Sequence, residues 1–453
     1  MARITLAQAA AWCGGTIDPK YADVTFLGAN NDSRIIQPGQ LFVALQGARD
    51  GHDFIPMALE KGAAAVLCTH CDGDYPAIVV EDTRIALGQI ARQERNRIGM
   101  KVVGVTGSVG KSTTKEMIAT VLETTYRVAK TPANHNNDIG MPMAILSIPE
   151  DTEVAVLEMG MNHFREIAYL TSIGQPDVAV IINIGTMHIE HLGSKEGILQ
   201  AKLEILEGLR PGGKILLNGD DEMLWQVRDR LTVPSVYFGA QNKACAVLAE
   251  HVTTEDNGVS FDAKAGMEQI PIHFALEGQH YVLDALAAVS AGLTLNVKPE
   301  NITEALRSFR NMAGRQEIFE ANGYTIIKDC YNAGPESMAA ALAVLGNKPG
   351  RRIAVLGDML ELGKRAAAEH YRIGRIAAEQ ADMLFAFGPH SARVVNGAIT
   401  GGMSTVQAQA FEDQKNLVNA LRSMAKAGDT LLFKGSHGMH MELALELFLH
   451  SEA

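Results

Sequence analysis

The chain has 453 residues, of which 47% are hydrophobic and 20% are charged, and its formal net charge is -12 at pH 7. A single hydrophobic core stops growing at roughly 250–300 residues, so this length predicts two or three domains. The excess of negative charge disfavours binding to nucleic acid or to an acidic membrane surface. Any anionic substrate must therefore meet local positive groups.

The first residues of the sequence lack the pattern expected of a signal peptide. Residues 1–15 predict a short amphipathic helix that ends at Gly14 and Gly15, without the apolar core of a signal peptide. No stretch approaches 18 apolar residues without charges, so we expect no membrane insertion and a cytoplasmic location. Cys68 and Cys71 have the spacing of a redox pair or half a zinc site, but a second ligand pair is absent and a reduced core cysteine explains Cys68 as well.

Residues 1–98 predict a small N-terminal α/β domain, with a strand at 41–45 and a helix and strand within 55–68. Two polar, glycine-containing loops lie beside the first strand. Ser33 and Arg34 belong to one loop, and Gly47 and His52 belong to the other. Such loops can hold a ligand through backbone groups and short side chains, or they can be simple turns, and composition leaves both readings open.

Residues 99–312 predict a central, doubly wound nucleotide-binding domain. Short apolar runs typical of buried parallel strands occur at 102–105, 154–157, 178–182 and 214–217, with a helix at 114–124. A less regular stretch at 244–274 has the character of a strand-rich insertion.

Residues 313–453 predict a third, Rossmann-like domain, because strands at 324–328, 353–356, 383–387 and 430–433 alternate with helical segments. The sequence as a whole therefore predicts an α/β fold of three domains.

A glycine-rich loop between the first central strand and its helix has the context of a phosphate-binding loop. It consists of Gly107, Ser108, Val109, Gly110, Lys111, Ser112 and Thr113. Glycines let backbone N–H groups converge on phosphate oxygens, while the lysine reaches the terminal phosphates and the serine hydroxyl reaches a magnesium ion. The full Walker pattern requires a glycine where Val105 stands, so the loop is a shortened variant. A chance Gly-Lys-Ser turn is disfavoured by the strand before it and the helix after it.

Three further chemically active residues follow in order. Glu158 ends one buried strand, His188 follows the next, and Lys202 lies fourteen residues after His188 on a predicted helix. Singly, they could be a strand-end acid, a satisfied loop histidine and a solvated lysine. Their order and spacing after the phosphate loop favour a shared site at the carboxyl edge of the sheet.

The shortened loop together with Glu158, His188 and Lys202 resembles the Mur ligases and their relative folylpolyglutamate synthase. The resemblance implies an ATP-dependent amide ligase, in which a carboxylate becomes an acyl phosphate that an amine attacks. It implies that Lys111, His188 and Lys202 act in catalysis, and that Ser112 and Glu158 hold one Mg²⁺. A second ion would lie beside His188 and a Lys202 carbamylated by CO₂.

Several segments resemble the branch of this family that adds D-alanyl-D-alanine to a UDP-linked muramoyl tripeptide in cell-wall synthesis. They are an asparagine-rich segment at 131–142, an Asp-x-Tyr-Asn-Ala-x-Pro-x-Ser-Met segment at 329–338 and a Leu-Gly-Asp-Met-x-Glu-Leu-Gly segment at 356–363. The Asp-Asn-Pro-Arg motif expected of the diaminopimelate-adding branch is missing. At 434–437, His437 stands where a Lys-Gly-Ser-Arg motif has arginine.

The same resemblance implies further contacts. The ATP contacts would come from Asn134, Asn137, Arg315, Asp329 and Asn332, and the UDP-sugar contacts from Ser33, Arg34, Gly47 and His52. We expect a monomer whose domains close on the substrates. A ligase of folate or polyglutamate metabolism is the nearest alternative, and a P-loop kinase or nucleotide switch is an alternative of another class. The third residue of the tripeptide, lysine or diaminopimelate, stays open.

Overall fold

A computed structural model of the chain describes residues 3–132, 135–255, 258–312 and 314–450. Its strands form a nine-stranded, a six-stranded, a four-stranded and a two-stranded sheet, and helices cover the larger sheets. The predicted α/β class, with mainly parallel sheets, is confirmed. In the described part of the chain, no helix is long and apolar enough to cross a membrane.

The N-terminal part contains two small sheets and three helices. Its strands are β1 (Ile4–Thr5), β2 (Thr25–Phe26), β3 (Ala29–Asn30), β4 (Leu41–Val43), β5 (Ala65–Cys68) and β6 (Ala77–Val79), and its helices are α1 (Leu6–Cys13), α2 (Ile55–Glu60) and α3 (Thr83–Ile98). Strands β3 to β6 pair in parallel and in chain order. Helix α1 ends at the predicted place, because Gly14 takes a left-handed φ of 66° that favours glycine.

The central part is built on the nine-stranded sheet. Its strands are β7 (Lys101–Thr106), β8 (Val128–Lys130), β9 (Val154–Glu158), β10 (Val178–Ile181), β11 (Lys214–Asn218), β12 (Ser235–Gly239), β13 (Val247–Glu255), β14 (Gly258–Ala265) and β15 (Glu268–Phe274). Its helices are α4 (Lys111–Glu123), α5 (Gly140–Leu146), α6 (Glu166–Gly174), α7 (Ile189–Leu192), α8 (Lys195–Leu203), α9 (Glu222–Gln226), α10 (His280–Thr294) and α11 (Pro299–Ser308).

The strand order of the central sheet positions the chemistry. It runs β15-β14-β13-β12-β11-β10-β7-β9-β8, with β7 paired in parallel to both β9 and β10. The carboxyl ends of these three adjacent strands therefore open side by side. Helix α4 starts at Lys111, three residues earlier than the sequence pattern predicts.

The stretch at 244–274 is rich in strands, as expected, but it is not a separate insertion. Strand β13 pairs in parallel with β12, and β14 and β15 add two antiparallel strands to the same sheet. Alternating burial along β14 places one face of this extension against the apolar core under α10 and α11.

The C-terminal part is a six-stranded sheet in the order β16-β17-β21-β18-β19-β20. The strands are β16 (Glu317–Ala321), β17 (Tyr324–Asp329), β18 (Arg352–Gly357), β19 (Met383–Phe387), β20 (Ala408–Phe411) and β21 (Thr430–Lys434), and the helices are α12 (Pro335–Gly346), α13 (Ala366–Gln380), α14 (Ser391–Thr400), α15 (Gln414–Met424) and α16 (Met441–Leu449). All pairings except β16 with β17 are parallel. The sequence pattern missed β16 and β20, the two edge strands, because their exposed positions weaken the apolar signal.

A buried arginine joins the N-terminal part to the central sheet. Arg95 lies on α3 and is fully buried. Its Nε donates to the carbonyl of Gly174 at 3.0 Å, and its Nη2 donates to the carbonyl of Gln175 at 2.9 Å and to Asp177 Oδ2 at 3.2 Å. These carbonyls end α6, so the guanidinium caps that helix while α3 packs against α5 and α6.

We predict that Arg95→Ala lowers the free energy of unfolding by about 2–4 kcal/mol, because buried carbonyl groups and Asp177 lose charge-assisted hydrogen bonds. Urea unfolding measures the change. The matched control is Arg92→Ala on an exposed position of the same helix, which should shift stability by less than about 0.5 kcal/mol. Equal stability of the two variants would contradict the capping role.

Candidate active site

A cleft of about 460 Å³ opens at the carboxyl ends of β7, β9 and β10 and continues to the C-terminal sheet. Its lining from the central part includes Ser108, Val109, Gly110, Lys111, Ser112, Thr113, Asn137, Glu158 and His188, and its lining from the C-terminal part includes Arg315, Asp329, Asn332 and Lys434. A wider hollow of about 720 Å³, around Arg92 and Arg210, lies away from these residues. The cleft therefore gathers most of the residues that the sequence singled out.

The phosphate loop is braced by Asn183, which lies two residues after the end of β10. Its Oδ1 accepts hydrogen bonds from the backbone N–H groups of Ser108 and Val109, both at 2.9 Å, and its Nδ2 donates to the Val109 carbonyl at 2.9 Å. Gly110 takes a φ of 86°, and a Cβ there would lie 2.7 Å from Asp284 Oδ1. Sequence reasoning did not select Asn183, although its position just after a buried strand was a usable signal.

Lys111 begins α4 and lies over the loop. Its Nζ donates to the carbonyls of Gly107 at 2.9 Å and Ser108 at 3.3 Å. Burial lowers the pKa of this ammonium, and the nearby Glu158 carboxylate opposes that shift. The loop therefore presents a desolvated cation whose neighbours are mostly backbone carbonyls.

Ser112 and Glu158 meet at the base of the cleft. The Ser112 hydroxyl donates to Glu158 Oε2 at 2.6 Å, and Asn136 Nδ2 donates to Glu158 Oε1 at 2.9 Å. From the C-terminal part, Arg315 Nη2 donates to the Ser112 hydroxyl at 3.0 Å. A hydroxyl oxygen beside a buried carboxylate is a donor set that suits Mg²⁺, so these residues fit the ion that the resemblance implies. Asn136 was missed within its asparagine-rich segment.

Lys202 lies on α8 and is only 2% exposed, so the solvated-lysine reading is wrong. Its pKa is lowered well below the ordinary value, first by burial and then by the charge of Lys111. Among the described residues, no carboxylate forms a salt bridge with it.

His188 is in the left-handed region, with a φ of 62°. Its Nδ1 lies 2.8 Å from Glu361 Oε2, which belongs to the C-terminal part and also has a left-handed φ of 62°. The histidine holds the pKa of Glu361 below its usual range. Both residues of this contact have a left-handed backbone although neither is glycine. This indicates local backbone strain, which proteins commonly retain at functional sites.

The C-terminal lining is held by a second set of polar contacts. Lys434 Nζ donates to Asp329 Oδ2 at 2.6 Å and to the Asn332 carbonyl at 3.0 Å. The Arg315 guanidinium stacks 3.9 Å from the centre of the Tyr331 ring. Asn137 lines the cleft while its Oδ1 caps the start of α5, whereas Asn134 lies outside the described residues.

The predicted UDP-sugar residues lie in the N-terminal part and do not line this cleft. Ser33 is buried against Met57. Arg34 donates from Nη2 to Asp32 Oδ2 at 2.7 Å and from Nε to Asp32 Oδ1 at 2.9 Å. His52 Nε2 accepts from the Thr69 N–H at 3.0 Å, and its Nδ1 lies 2.6 Å from Asp50 Oδ1. Both nitrogens of this histidine are thus occupied, one by Asp50 of its own loop and one by Thr69 after β5, while Gly47 is exposed nearby.

Asp284 on α10 is a further cleft residue that sequence reasoning missed. It accepts a hydrogen bond from Thr114 Oγ1 at 2.8 Å and touches the phosphate loop at Gly110. Burial raises its pKa from 3.8 to about 7. Asp284 was missed because the residues around it in α10 are mostly apolar and predict only a buried helix.

Because its folded-state pKa is raised, Asp284 contributes stability below about pH 4 that is lost as the pH rises to about 7. We predict that Asp284→Asn, which keeps an acceptor for Thr114 but carries no charge, gains stability relative to the native chain over that window and keeps a constant advantage above it. Urea unfolding at pH 4, 5, 6, 7 and 8 measures the difference. A stability difference between the two proteins that does not change with pH would contradict the raised pKa of Asp284.

Comparisons with known proteins match this arrangement along nearly the whole chain. The family model "Mur ligase family, catalytic domain" matches residues 24–95, "Mur ligase middle domain" matches 105–292, and "Mur ligase, glutamate ligase domain" matches 314–437. The chain belongs to the Mur ligase family. It is accordingly an ATP-dependent ligase.

Two relatives that align with nearly the whole chain carry the same name. The UDP-N-acetylmuramoyl-tripeptide--D-alanyl-D-alanine ligase of Bacillus subtilis (strain 168) is 38% identical over 98% of this chain and 97% of the relative, and that of Escherichia coli (strain K12) is 34% identical over 98% and 97%. The crystal structure of MurF from Acinetobacter baumannii has a TM-score of 0.92 at 31% identity, covering 99% of both chains. MurF ligase from Thermotoga maritima in complex with ADP has a TM-score of 0.82 at 30% identity, covering 93% and 97%.

The nearest alternative from the sequence is not favoured. Folylpolyglutamate synthase from Mycobacterium tuberculosis is 14% identical with a TM-score of 0.62, over 82% of this chain and 95% of that one, so it shares the fold alone. A kinase or nucleotide switch would leave the C-terminal matches unexplained.

Proposed function

We propose that the chain joins D-alanyl-D-alanine to UDP-N-acetylmuramoyl-tripeptide at the expense of ATP, giving the UDP-linked pentapeptide, ADP and phosphate. The name shared by relatives that align over almost its full length supports this substrate pair. The observation that carries the ligase chemistry is the convergence of Lys111, the Ser112–Glu158 pair and Arg315 at one cleft between two sheets.

The first half of the reaction brings an anionic carboxylate against an anionic phosphate, and charge neutralisation is its main requirement. Lys111 lies over the phosphate loop at the start of α4, where it would contact the terminal phosphates, and Arg315 donates to Ser112 of the same loop from the C-terminal part. Ser112 and Glu158 would hold Mg²⁺, which would supply further positive charge to the phosphate oxygens. Asn137, Asp329 and Asn332 complete the ATP contacts, together with Asn134.

The second half requires an amine beside the activated carboxyl group. A smaller pocket of about 260 Å³ adjoins the cleft and is lined by Met187, Leu360, Glu361 and His437 among others. It is below the roughly 300–1,000 Å³ typical of drug-sized ligands, which suits a short dipeptide. In this proposal the apolar side chains would contact the methyl groups of the dipeptide, Glu361 would face its amino group, and His437 would donate to its carboxylate in the place of an arginine.

The remaining assignments complete this proposal. Residues 1–98 form the UDP-sugar-binding domain, with Ser33, Arg34, Gly47 and His52 in its loops, residues 99–312 form the ATP-binding domain, and residues 313–453 form the domain that receives the dipeptide. The enzyme acts as a cytoplasmic monomer. The relatives' name and the family matches support this division.

The decisive experiment is a mass spectrum of the product formed from ATP, UDP-N-acetylmuramoyl-tripeptide and D-alanyl-D-alanine. We expect the UDP-linked pentapeptide, and ATP consumption that requires both other substrates. Parallel reactions with the lysine and the diaminopimelate tripeptide identify the third residue. Equal ATP hydrolysis without the dipeptide, or no pentapeptide, would refute the proposed function.

We predict that Lys111→Ala lowers the rate of amide formation on the order of a hundredfold or more, because the terminal phosphates lose their main protein cation where charge is transferred. Pentapeptide formation per unit time is the measurement. Lys101→Ala, at an exposed position of the strand before the loop, is the matched control and should retain full activity. Normal turnover in Lys111→Ala would refute the ATP-loop assignment.

Lys202 becomes an anion by carbamylation in this proposal. A carbamate forms only from a neutral amine, and a deeply buried lysine next to the Lys111 cation has the lowered pKa that this reaction needs. The carbamate and His188 would hold a second Mg²⁺, which would supply positive charge to the reacting phosphate oxygens. The burial of Lys202 supports the modification because a free ammonium there is desolvated and faces a like charge.

We predict that Lys202→Ala loses most of its activity and recovers part of it when short carboxylates such as acetate or propionate are added, because they occupy the vacated anionic position. Lys202→Arg should not recover, since the guanidinium keeps a positive charge there. Initial rates with and without carboxylate, at fixed ionic strength, test this. Full activity of Lys202→Ala, or equal rescue of both variants, would contradict carbamylation.

A further inference from the structure

The segment 183–188, which follows β10 and ends at His188, is held from two sides. On the central side, the Gly185 N–H donates to the Ser108 hydroxyl of the phosphate loop at 2.9 Å. On the C-terminal side, the Thr186 N–H and hydroxyl donate to Glu336 Oε1 at 3.0 and 2.9 Å. One carboxylate oxygen of α12 therefore accepts two hydrogen bonds from a segment that bonds directly to the phosphate loop.

The packing around these bonds leaves little room for movement. A Cβ at Gly185 would lie 3.0 Å from the Ser108 Cβ and 3.2 Å from the Glu336 Cδ. A Cβ at Gly334, just before α12, would lie 2.8 Å from the Met187 Cγ. The start of α12 and the phosphate loop thus close on the segment from opposite sides, and the contact exists only while the C-terminal part is packed against the central sheet.

Glu336 is placed to hold this contact. It lies in the first turn of α12, after Pro335, where the helix dipole favours a negative charge. Its Oε2 is buried in the cleft and has no hydrogen-bond partner among the described residues. At the end of the segment, His188 makes a separate contact with Glu361, so two carboxylates of the C-terminal part meet the segment.

We propose that Glu336 is a positioning residue for the ligase reaction. When the C-terminal part packs on the central sheet, Glu336 fixes segment 183–188 through Thr186, and the segment in turn fixes the Ser108 hydroxyl and the His188 ring around the reactants. The proposal rests on the proposed function, because the groups it positions belong to that site. Displacement of such groups by about 1 Å can cost on the order of a hundredfold in rate.

Three variants test the proposal. Glu336→Ala removes the acceptor and should lower kcat by roughly 10- to 100-fold, with the KM for the UDP-tripeptide changed less than about twofold. Glu336→Gln keeps an oxygen acceptor for Thr186 and should retain at least about half of the native kcat. Glu379→Ala, at an exposed position of α13, is the control and should match the native enzyme.

Amide hydrogen exchange of residues 185–188 supplies a readout that needs no turnover. It should become faster in Glu336→Ala and stay native in Glu336→Gln, because only the first loses the acceptor of the Thr186 N–H. Thr186→Val combined with Glu336→Ala should lower kcat no further than Glu336→Ala alone.

Two results would overturn the proposal. If Glu336→Gln is as impaired as Glu336→Ala, the charge itself acts on a reactant and positioning is not its role. If Glu336→Ala keeps native kcat and native exchange, the contact does not hold the segment. Absence of pentapeptide from the native enzyme would instead refute the proposed function, and the exchange comparison would still decide whether Glu336 fixes the segment.

Discussion

The parallel pairing of β7 with β9 on one side and β10 on the other is the constraint on which the site depends. It brings the phosphate loop, Glu158 and Asn183 to one edge, although they are distant in the chain. Neither the loop nor the carboxylate needs unusual local structure to meet the other, because the register of the strands fixes both. Arg315 and the other site residues of the C-terminal part therefore contact a sheet edge that the central strands form by themselves.

A second constraint is the burial of charge. Lys111 and Lys202 are two lysines whose pKa is lowered by burial, and Glu158 and Asp284 are two buried carboxylates close to the same loop. Burial lowers the pKa of both lysines and raises that of Asp284, so the protonation of these three groups responds to the anions and cations that enter the cleft. Burial of these ionisable groups lowers the stability of the fold, which is typical of sites that bind ionic reactants.

The sequence was sufficient for the parts of the fold that follow local rules. The buried strand of β19 was predicted at its observed limits, and Gly14 ended α1 as expected, because continuous apolar runs and glycine stops are local signals. The edge strands β16 and β20 were missed because their exposed positions interrupt such runs.

For the site, the sequence was sufficient to predict the phosphate loop and to select Glu158, His188 and Lys202 by their order and spacing. The structure brings Ser112 of that loop into contact with Glu158. Asn183, Asn136, Asp284 and Glu336 were not selected, since each acts through a partner far away in the chain. A polar residue at the end of a strand or in a helix carries no local mark of the group that it will meet. Only the strand order and the packing of the helices supply that information.

The capping of α6 by Arg95 has a consequence for how the molecule comes apart. One continuous apolar core contains residues of the N-terminal strands, of α3 and of α5, α6 and α8, whereas the two cores around the C-terminal sheet contain only residues from 318 onwards. We therefore expect the three sequence-defined regions to behave as two cooperative folding units. On heating, the first two regions should unfold together, and the third, which has its own apolar cores, should unfold separately.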